Sequence, residues 1–337
     1  MRFFYLIYYL KHLDRKKFHL FLNYASGGSK GKNVIMIADS IYSVFRYNIS
    51  IFEYFQFKFY EKDHPERSVW TGTGYMYEYQ KLMNPKKSRK IIENKILFLN
   101  YFKNFVHRKF ENINNINEPE FTEILSNSSG KTVLKNSLGQ VGGEVEIIEN
   151  KKYTSSSLFN YMKSKNYDLI EEFVIQHPVL MRLSPTGLNT IRIITQLNNN
   201  QVDLIGARLR ISVNSAVDNM GAGNMAAPVD IKTGFVSGPG VYSDITKTDE
   251  EIHPVTGVEI RGFKIPYWKE SIEMIKEAAL IETGNRSVGW DIAITNEGPE
   301  LIEGNHNWCK LLWQLPVKKG MKPVLEKYRK EFIATNR

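Results

Sequence analysis

The sequence predicts an α+β protein in which a helix-rich N-terminal region precedes two regions built on antiparallel hairpins. Two hairpins and one change of periodicity carry that expectation. Residues 288–308 read VGWDIAITNEGPELIEGNHNW, and residues 189–213 read NTIRIITQLNNNQVDLIGARLRISV. In both, side chains alternate with the period of a strand around a polar turn. The first 110 residues instead repeat apolar positions at helical spacing, and they carry 20 Lys/Arg against 8 Asp/Glu.

Folded about Glu297, the 288–308 hairpin sets Asp291 opposite Glu303 and Ile292 opposite Ile302. Asp291, Glu303 and Asn305 then share one face, and Ile292, Ile294 and Ile302 the other. Two carboxylates about 4 Å apart repel by roughly 4 kcal/mol at an effective dielectric near 20 unless a proton or cation lies between them. Mg²⁺ is commonly held by one or two carboxylates together with substrate phosphates, so this face suggests a metal–nucleotide site. The competing reading is an exposed hairpin with ordinary surface charges.

The 189–213 hairpin, centred on Asn200, opposes Arg192 to Arg208 and places Arg210 diagonal to Arg192. Ile191, Ile193, Ala207, Leu209 and Ile211 take the opposite face. Guanidinium groups gathered on one face call for an anion, and their fork geometry suits phosphate oxygens. An Arg-rich exposed face is the alternative.

Composition narrows the classes. With 337 residues and 42% hydrophobic content the chain can bury a substantial core. The single cysteine, Cys309, excludes an intramolecular disulfide and suits a cytoplasmic protein. The apolar run Phe3 to Leu10 is far shorter than the roughly 20 residues of a membrane span, and no signal-peptide cleavage pattern follows it. Net charge is +9, all of the excess N-terminal. No helix-turn-helix, zinc-finger or RNP pattern accompanies it, so nucleic acid is not an expected partner. An acidic substrate or an anionic membrane surface fits the asymmetry, as do ordinary solvated lysines.

Along the chain, residues 1–24 mix aromatic with basic residues and read as a helix, packed on its own domain or resting on a membrane. Residues 26–32 (SGGSKGK) read as a loop, 35–60 as helical, 68–75 as a turn and 91–110 as one amphipathic helix. Residues 111–119 are a candidate linker. Residues 131–148 (KTVLKNSLGQVGGEVEII) read as strand, glycine-rich turn, strand, in which Gly139, Gly142 and Gly143 could wrap phosphates beside a lysine. A plain antiparallel turn would look the same. A helix over 155–165 capped by Ser155, a strand over 167–174, a small-residue loop over 217–230, and helices over 268–282 and from 323 to about 334 complete the expectation.

The phrases NKILFLNYF, EEFVIQHPVL, LNTIRII, VDNMGAGNMAAPVDIKTG, HPVTG and GWDIAIT…GPELIEGN, in that order, resemble the sugar-transfer-associated branch of the ATP-grasp superfamily. The resemblance implies two α+β lobes clamping ATP between antiparallel sheets: residues 111–178 as the small lobe, 179–337 as the large lobe, and 1–110 alongside. It implies that Lys135 and Lys95 contact phosphate oxygens, that the Glu171, Glu172 and Val174 linker meets adenine, and that Gln176 or His177 lies near the ribose. Arg192 and Arg210 would hold the transferring phosphoryl group, Asn219 to Asn224 would cover it, and Asp291, Glu303 and Asn305 would bind Mg²⁺. The implied activity is an ATP-dependent carboxylate–amine ligase proceeding through an acylphosphate. Its expected substrates are an amine or amino acid and an acidic, uronic-acid sugar of a surface polysaccharide, with possible contact at the inner membrane surface. A phosphotransferase using the same clamp, and a non-catalytic glycan- or membrane-binding protein, are the alternatives.

Overall fold

The structure, a computed structural model, describes residues 2–116, 118–139, 145–215 and 218–335. The N-terminal region is helical: α1 (Arg2–Lys11), α2 (Arg15–Ser26), α3 (Lys30–Tyr47), α4 (Ile51–Gln56), α5 (His64–Ser68), α6 (Thr73–Met83), α7 (Lys86–Glu93) and α8 (Lys95–Tyr101). Local capping chemistry divides these helices more finely than apolar periodicity suggests. The helix expected over residues 1–24 is two, because the Asp14 side chain accepts the amide of Lys17 and starts α2 anew. The loop expected over 26–32 shrinks to a turn at Gly27 and Gly28, both at positive φ, before Ser29 caps α3. The 35–60 helix breaks at Asn48, also at positive φ, and Ser50 with Glu53 forms a capping box on α4. The 91–110 helix breaks at Asn94, whose side chain caps α8.

Two antiparallel sheets follow. The smaller has the order β1-β4-β2-β3, from β1 (Phe110–Asn112), β2 (Lys131–Lys135), β3 (Val145–Glu149) and β4 (Leu169–Glu172). Part of the expected linker is therefore the edge strand β1, paired with β4 from Phe110↔Glu171 to Asn112↔Leu169. Helices α9 (Glu118–Leu125) and α10 (Ser155–Ser164) cover this sheet around Leu134, Ile148, Leu158 and Ile170. Thr154, rather than Ser155, caps α10.

The larger sheet has the order β7-β6-β5-β8-β9, from β5 (Ile191–Asn198), β6 (Gln201–Ile211), β7 (Met225–Pro228), β8 (Ser287–Thr295) and β9 (Gly298–Asn305). A short helix, α11 (Pro178–Leu183), leads into it, and α12 (Trp268–Ile281) packs on the face carrying Ile191, Ile193, Leu209, Ile292 and Leu301. The opposite face meets the N-terminal helices and the closing helices α13 (Lys310–Gln314) and α14 (Lys322–Thr335), through Tyr79, Met83, Trp308 and Trp313. Buried Glu53 and partly buried Lys310, 2.8 Å apart, tie α4 to α13.

Register matches expectation at the charged positions and departs beside them. Asp291 opposes Glu303, and Arg192 opposes Arg208. Ile292, however, pairs with Leu301 and not with Ile302. The hairpin turns on two residues between Thr295 and Gly298, half a residue off the expected centre, and a bulge at Ile302 restores the register. The other hairpin does likewise. Asn199 and Asn200, both at positive φ, make a two-residue turn, and a bulge at Ile205 brings Arg208 opposite Arg192. No helix among the described residues is long and apolar enough to cross a membrane.

Candidate active site

Strands β5, β6 and β8 set three side chains into one buried cluster. Arg192 grips Asp291 with both arms, through Nε to Oδ1 and through Nη2 to Oδ2 at 2.7 Å. Arg210 reaches Asp291 Oδ2 from β6, also at 2.7 Å, and its other nitrogen meets Asp218 Oδ1 at 2.7 Å. Burial alone would push the Asp291 carboxyl up, but Arg192 and Arg210 overcome that and hold it at about 2. Burial would lower the Arg192 and Arg210 guanidiniums; Asp291 for the first, and Asp218 with Asp291 for the second, hold them above their usual value.

Glu303 behaves oppositely. Partly buried and facing Asp291, it is pushed above the usual carboxylate range, first by loss of solvent and then by the neighbouring charge. Asn305 donates to its Oε1 at 3.1 Å. Such a carboxyl favours a proton or a cation.

The donor set fits a hard cation. Asp291 offers two carboxylate oxygens beside Glu303, with Arg192 and Arg210 as their present hydrogen-bond donors. Glu303 and the Asn305 carbonyl add further oxygen donors. No group of three or more His, Cys, Asp or Glu side chains suited to a metal occurs among the described residues, so remaining ligands would come from phosphate oxygens or water.

Arg208, expected beside the other two arginines, turns away. Its Nε and Nη2 donate to the carbonyl of Trp313 and its Nη1 to that of Ala207, at 2.7 Å. Burial without an acidic partner lowers it to about 10.

In the smaller sheet, Lys135 pairs with Glu171 at 2.8 Å. Burial would raise the Glu171 carboxyl, yet Lys135 and Arg108 bring it down to about 2. Lys95 stands at the base of the glycine-rich segment: its ammonium donates to the carbonyl of Asn136 at 3.1 Å and to that of Gly139, and its amide to the carbonyl of Ser137. Gly142 and Gly143 lie outside the described residues. Glu172 accepts the Lys109 amide at 2.9 Å, and Val174 is half-buried in the connecting segment. The His177 ring accepts the amide of Val179 at 3.2 Å, while its own amide donates to the Ile294 carbonyl at 2.7 Å. Gln176 is buried and accepts the Asn189 amide at 2.6 Å, so its side chain braces β5. Asn219 opens a single turn of 3-10 helix, Met220–Ala222, and accepts the amide of Gly221 at 3.0 Å. Asn224 then accepts the amide of Val213, which pins this loop to the end of β6.

Two charged groups escaped the sequence reading. Asp218 is buried, accepts Thr190 Oγ1 at 2.6 Å and its amide at 2.8 Å, and is the second anchor of Arg210. The only local signal was an acid inside a small-residue loop. Arg108 joins the sheets: Nε donates to Glu171 at 2.6 Å in β4, Nη1 to the Leu301 carbonyl at 2.8 Å in β9, and Glu300 lies 3.6 Å away. Nothing local separates it from the neighbouring basic residues.

Residues 75–330 match the family described as sugar-transfer associated ATP-grasp. The chain belongs to this family. Its two antiparallel sheets, with helices on the smaller one and the charged cluster on the larger, are those of an ATP-grasp fold. Solved structures similar to this ATP-grasp chain include the ligase PsnB complexed with minimal precursor, at 12% identity and a TM-score of 0.44, covering 74% of this chain and 64% of that one. D-alanyl-alanine synthetase A from Vibrio cholerae O1 biovar eltor matches at 11% identity and 0.41, covering 73% and 64%. An L-amino acid ligase from Bacillus licheniformis matches at 12% and 0.42, covering 72% and 49%. The chain thus spans less than two thirds of the length of these structures. No curated protein matches it.

Proposed function

We propose that this protein is an ATP-dependent carboxylate–amine ligase that joins an amine or amino acid to an acidic sugar, with residues 111–178 as the small lobe, 179–337 as the large lobe and 1–110 alongside. The observation that carries the reading is the set formed by buried Arg192 and Asp291 with partly buried Arg210 and Glu303 on one face of the larger sheet in a chain of this family. A carboxylate does not acylate an amine at neutral pH, because oxide is not a usable leaving group. In the first step a carboxylate oxygen attacks the γ-phosphorus of ATP, the bond to the bridging oxygen breaks, and ADP leaves. In the second the amine attacks the acylphosphate carbon, phosphate departs with the bonding pair, and the nitrogen gives up a proton to leave the amide.

The chain's own part is to position reactants and neutralise charge. Arg192 and Arg210 would exchange part of their bonding to Asp291 for phosphoryl oxygens, and Lys135 and Lys95 would face phosphates from the smaller sheet. Gly139, with Gly142 and Gly143, would lie along them, and Asn219 would border the transferred group. The segment from Glu171 and Glu172 to Val174 would present backbone groups to adenine, with His177 near the ribose. Asp291, Glu303 and Asn305 would hold Mg²⁺, which supplies charge neutralisation to the phosphates when bound. The family's association with sugar transfer and the basic N-terminal third support an acidic glycan as acceptor, handled in the cytoplasm or at the inner membrane surface.

The test is ADP release with Mg-ATP across a panel of amino acids and uronic-acid acceptors, with product analysis. A ligase forms an amide and liberates one phosphate per ADP. Phosphate retained on the acceptor would assign a kinase instead, and the absence of any Mg-ATP binding in a calorimetric titration would make the chain a non-catalytic binder.

A further inference from the structure

We infer that α1, α2 and α3 form a docking face for an anionic membrane surface. This inference is independent of the reaction the larger sheet performs. Helices α1 and α2 both pack on α3, and the three leave large apolar side chains open to solvent. Phe4 is 72% exposed, and Val34 and Ile35 are each 69% exposed. Ile7, Tyr8 and Tyr42 are also exposed. Among the described residues of α1, Leu6 and Tyr9 pack partly against the apolar core of this region. Isolated apolar residues on a surface need no explanation, but this many on three adjoining helices mark an interaction surface.

Charge selects the partner. Residues 1–47 hold eight Lys/Arg and two Asp. Both acids are engaged, Asp14 capping α2 and Asp39 accepting both arms of Arg67 at 2.8 Å. A second copy of this chain docking face to face would bring like charges together, whereas an anionic lipid surface complements them. At ten residues α1 is about 15 Å long, half the thickness of a hydrocarbon core, so it would lie along the interface and not across it. Tyr8, Tyr24 and Tyr42 suit that depth, with an apolar ring inward and a hydroxyl toward water. Interfacial helices bind through buried apolar area together with attraction to anionic lipid.

The experiment is co-sedimentation of the full chain with vesicles of phosphatidylglycerol and phosphatidylcholine, or of phosphatidylcholine alone. Binding to the anionic vesicles is expected, falling about tenfold or more on neutral vesicles or when salt rises from about 0.1 M to about 0.5 M. The triple variant Phe4→Glu, Ile7→Glu, Tyr8→Glu should lose binding by about tenfold or more while its circular dichroism and melting temperature stay unchanged. Because misfolding could mimic that loss, Lys11→Glu with Lys16→Glu, both exposed, provides a second route to the same result. No binding of the parent chain to anionic vesicles at low salt, or full binding by both variants, overturns the proposal. So does a parent chain that sediments as a dimer, ignores vesicles and becomes monomeric in the triple variant, since a second copy would then be what covers the face.

Discussion

Replacing Arg108 by Met tests the link between the two sheets most directly. Arg108 and Lys135 together hold Glu171, buried in the smaller sheet, at about 2 against a usual 4.5, which corresponds to about 3 kcal/mol of stability at neutral pH. Lys135, at 2.8 Å, survives the substitution, so Arg108 accounts for only part of this. The hydrogen bond to the Leu301 carbonyl and the nearby charge of Glu300 add about 1 kcal/mol each. Glu300 would still accept the amides of residues 107 and 108 at 2.9 and 3.2 Å, which limits the damage. Met fills most of the volume and removes Nη2, which is buried with no hydrogen-bond partner. The net expectation is a loss of about 3 kcal/mol, the low end for breaking a buried ion pair, and a melting temperature lower by roughly 6 °C. The sign with pH follows from a depressed carboxyl. Its contribution is complete above about pH 4.5 and disappears as pH falls through about 2. In Arg108→Met the folded carboxyl is less depressed, so that acid loss should still begin near pH 4.5 but be complete at a higher pH and be smaller. Urea unfolding of Arg108→Met, Glu171→Gln and the double variant should give a coupling of about 1 kcal/mol or more. A melting temperature within about 1 °C of the parent, or no coupling to Glu171, would refute the assignment of Arg108 as the charged link between sheets.

Glu303→Gln keeps the shape and the acceptor for Asn305 but removes the charge facing Asp291. Turnover should fall by about 100-fold or more with melting temperature undiminished; near-normal ADP release would sink the metal assignment. At the other hairpin, Asn200 sits at φ 65° in a two-residue turn, where Gly is favoured. Asn200→Gly should raise stability by about 0.5 kcal/mol in urea unfolding, and a loss would mean that the Asn200 side chain matters more than its backbone conformation.

Both hairpins were legible because side-chain alternation and polar turns are local signals. The compensation inside them was not. A two-residue turn alone would have set Arg192 and Asp291 one residue out of step with Arg208 and Glu303, and the bulges at Ile205 and Ile302 cancel that offset. Their positions answer to packing, with Ile205 buried against the tryptophans of the C-terminal region. Helix boundaries failed for a related reason, since single capping side chains such as Asp14 and Asn94 outweighed a continuous apolar stripe.

Charge partners were the least legible, because the pairs join residues far apart in the chain. The sequence shows three arginines on one face and implies an anion that gathers them. In the folded chain that anion is Asp291 for Arg192 and Arg210, while Arg208 is satisfied by backbone carbonyls. This makes the two halves of the cluster interdependent. Under the proposed function, phosphate oxygens arriving at the guanidiniums would compete with Asp291 and release lone pairs for a cation. A cation on Asp291 and Glu303 would in turn weaken the hold on Arg192 and Arg210 and free them toward phosphate. Each arrival would lower the cost of the other, so charge balance in this cluster would favour binding the nucleotide and its metal together over binding either alone.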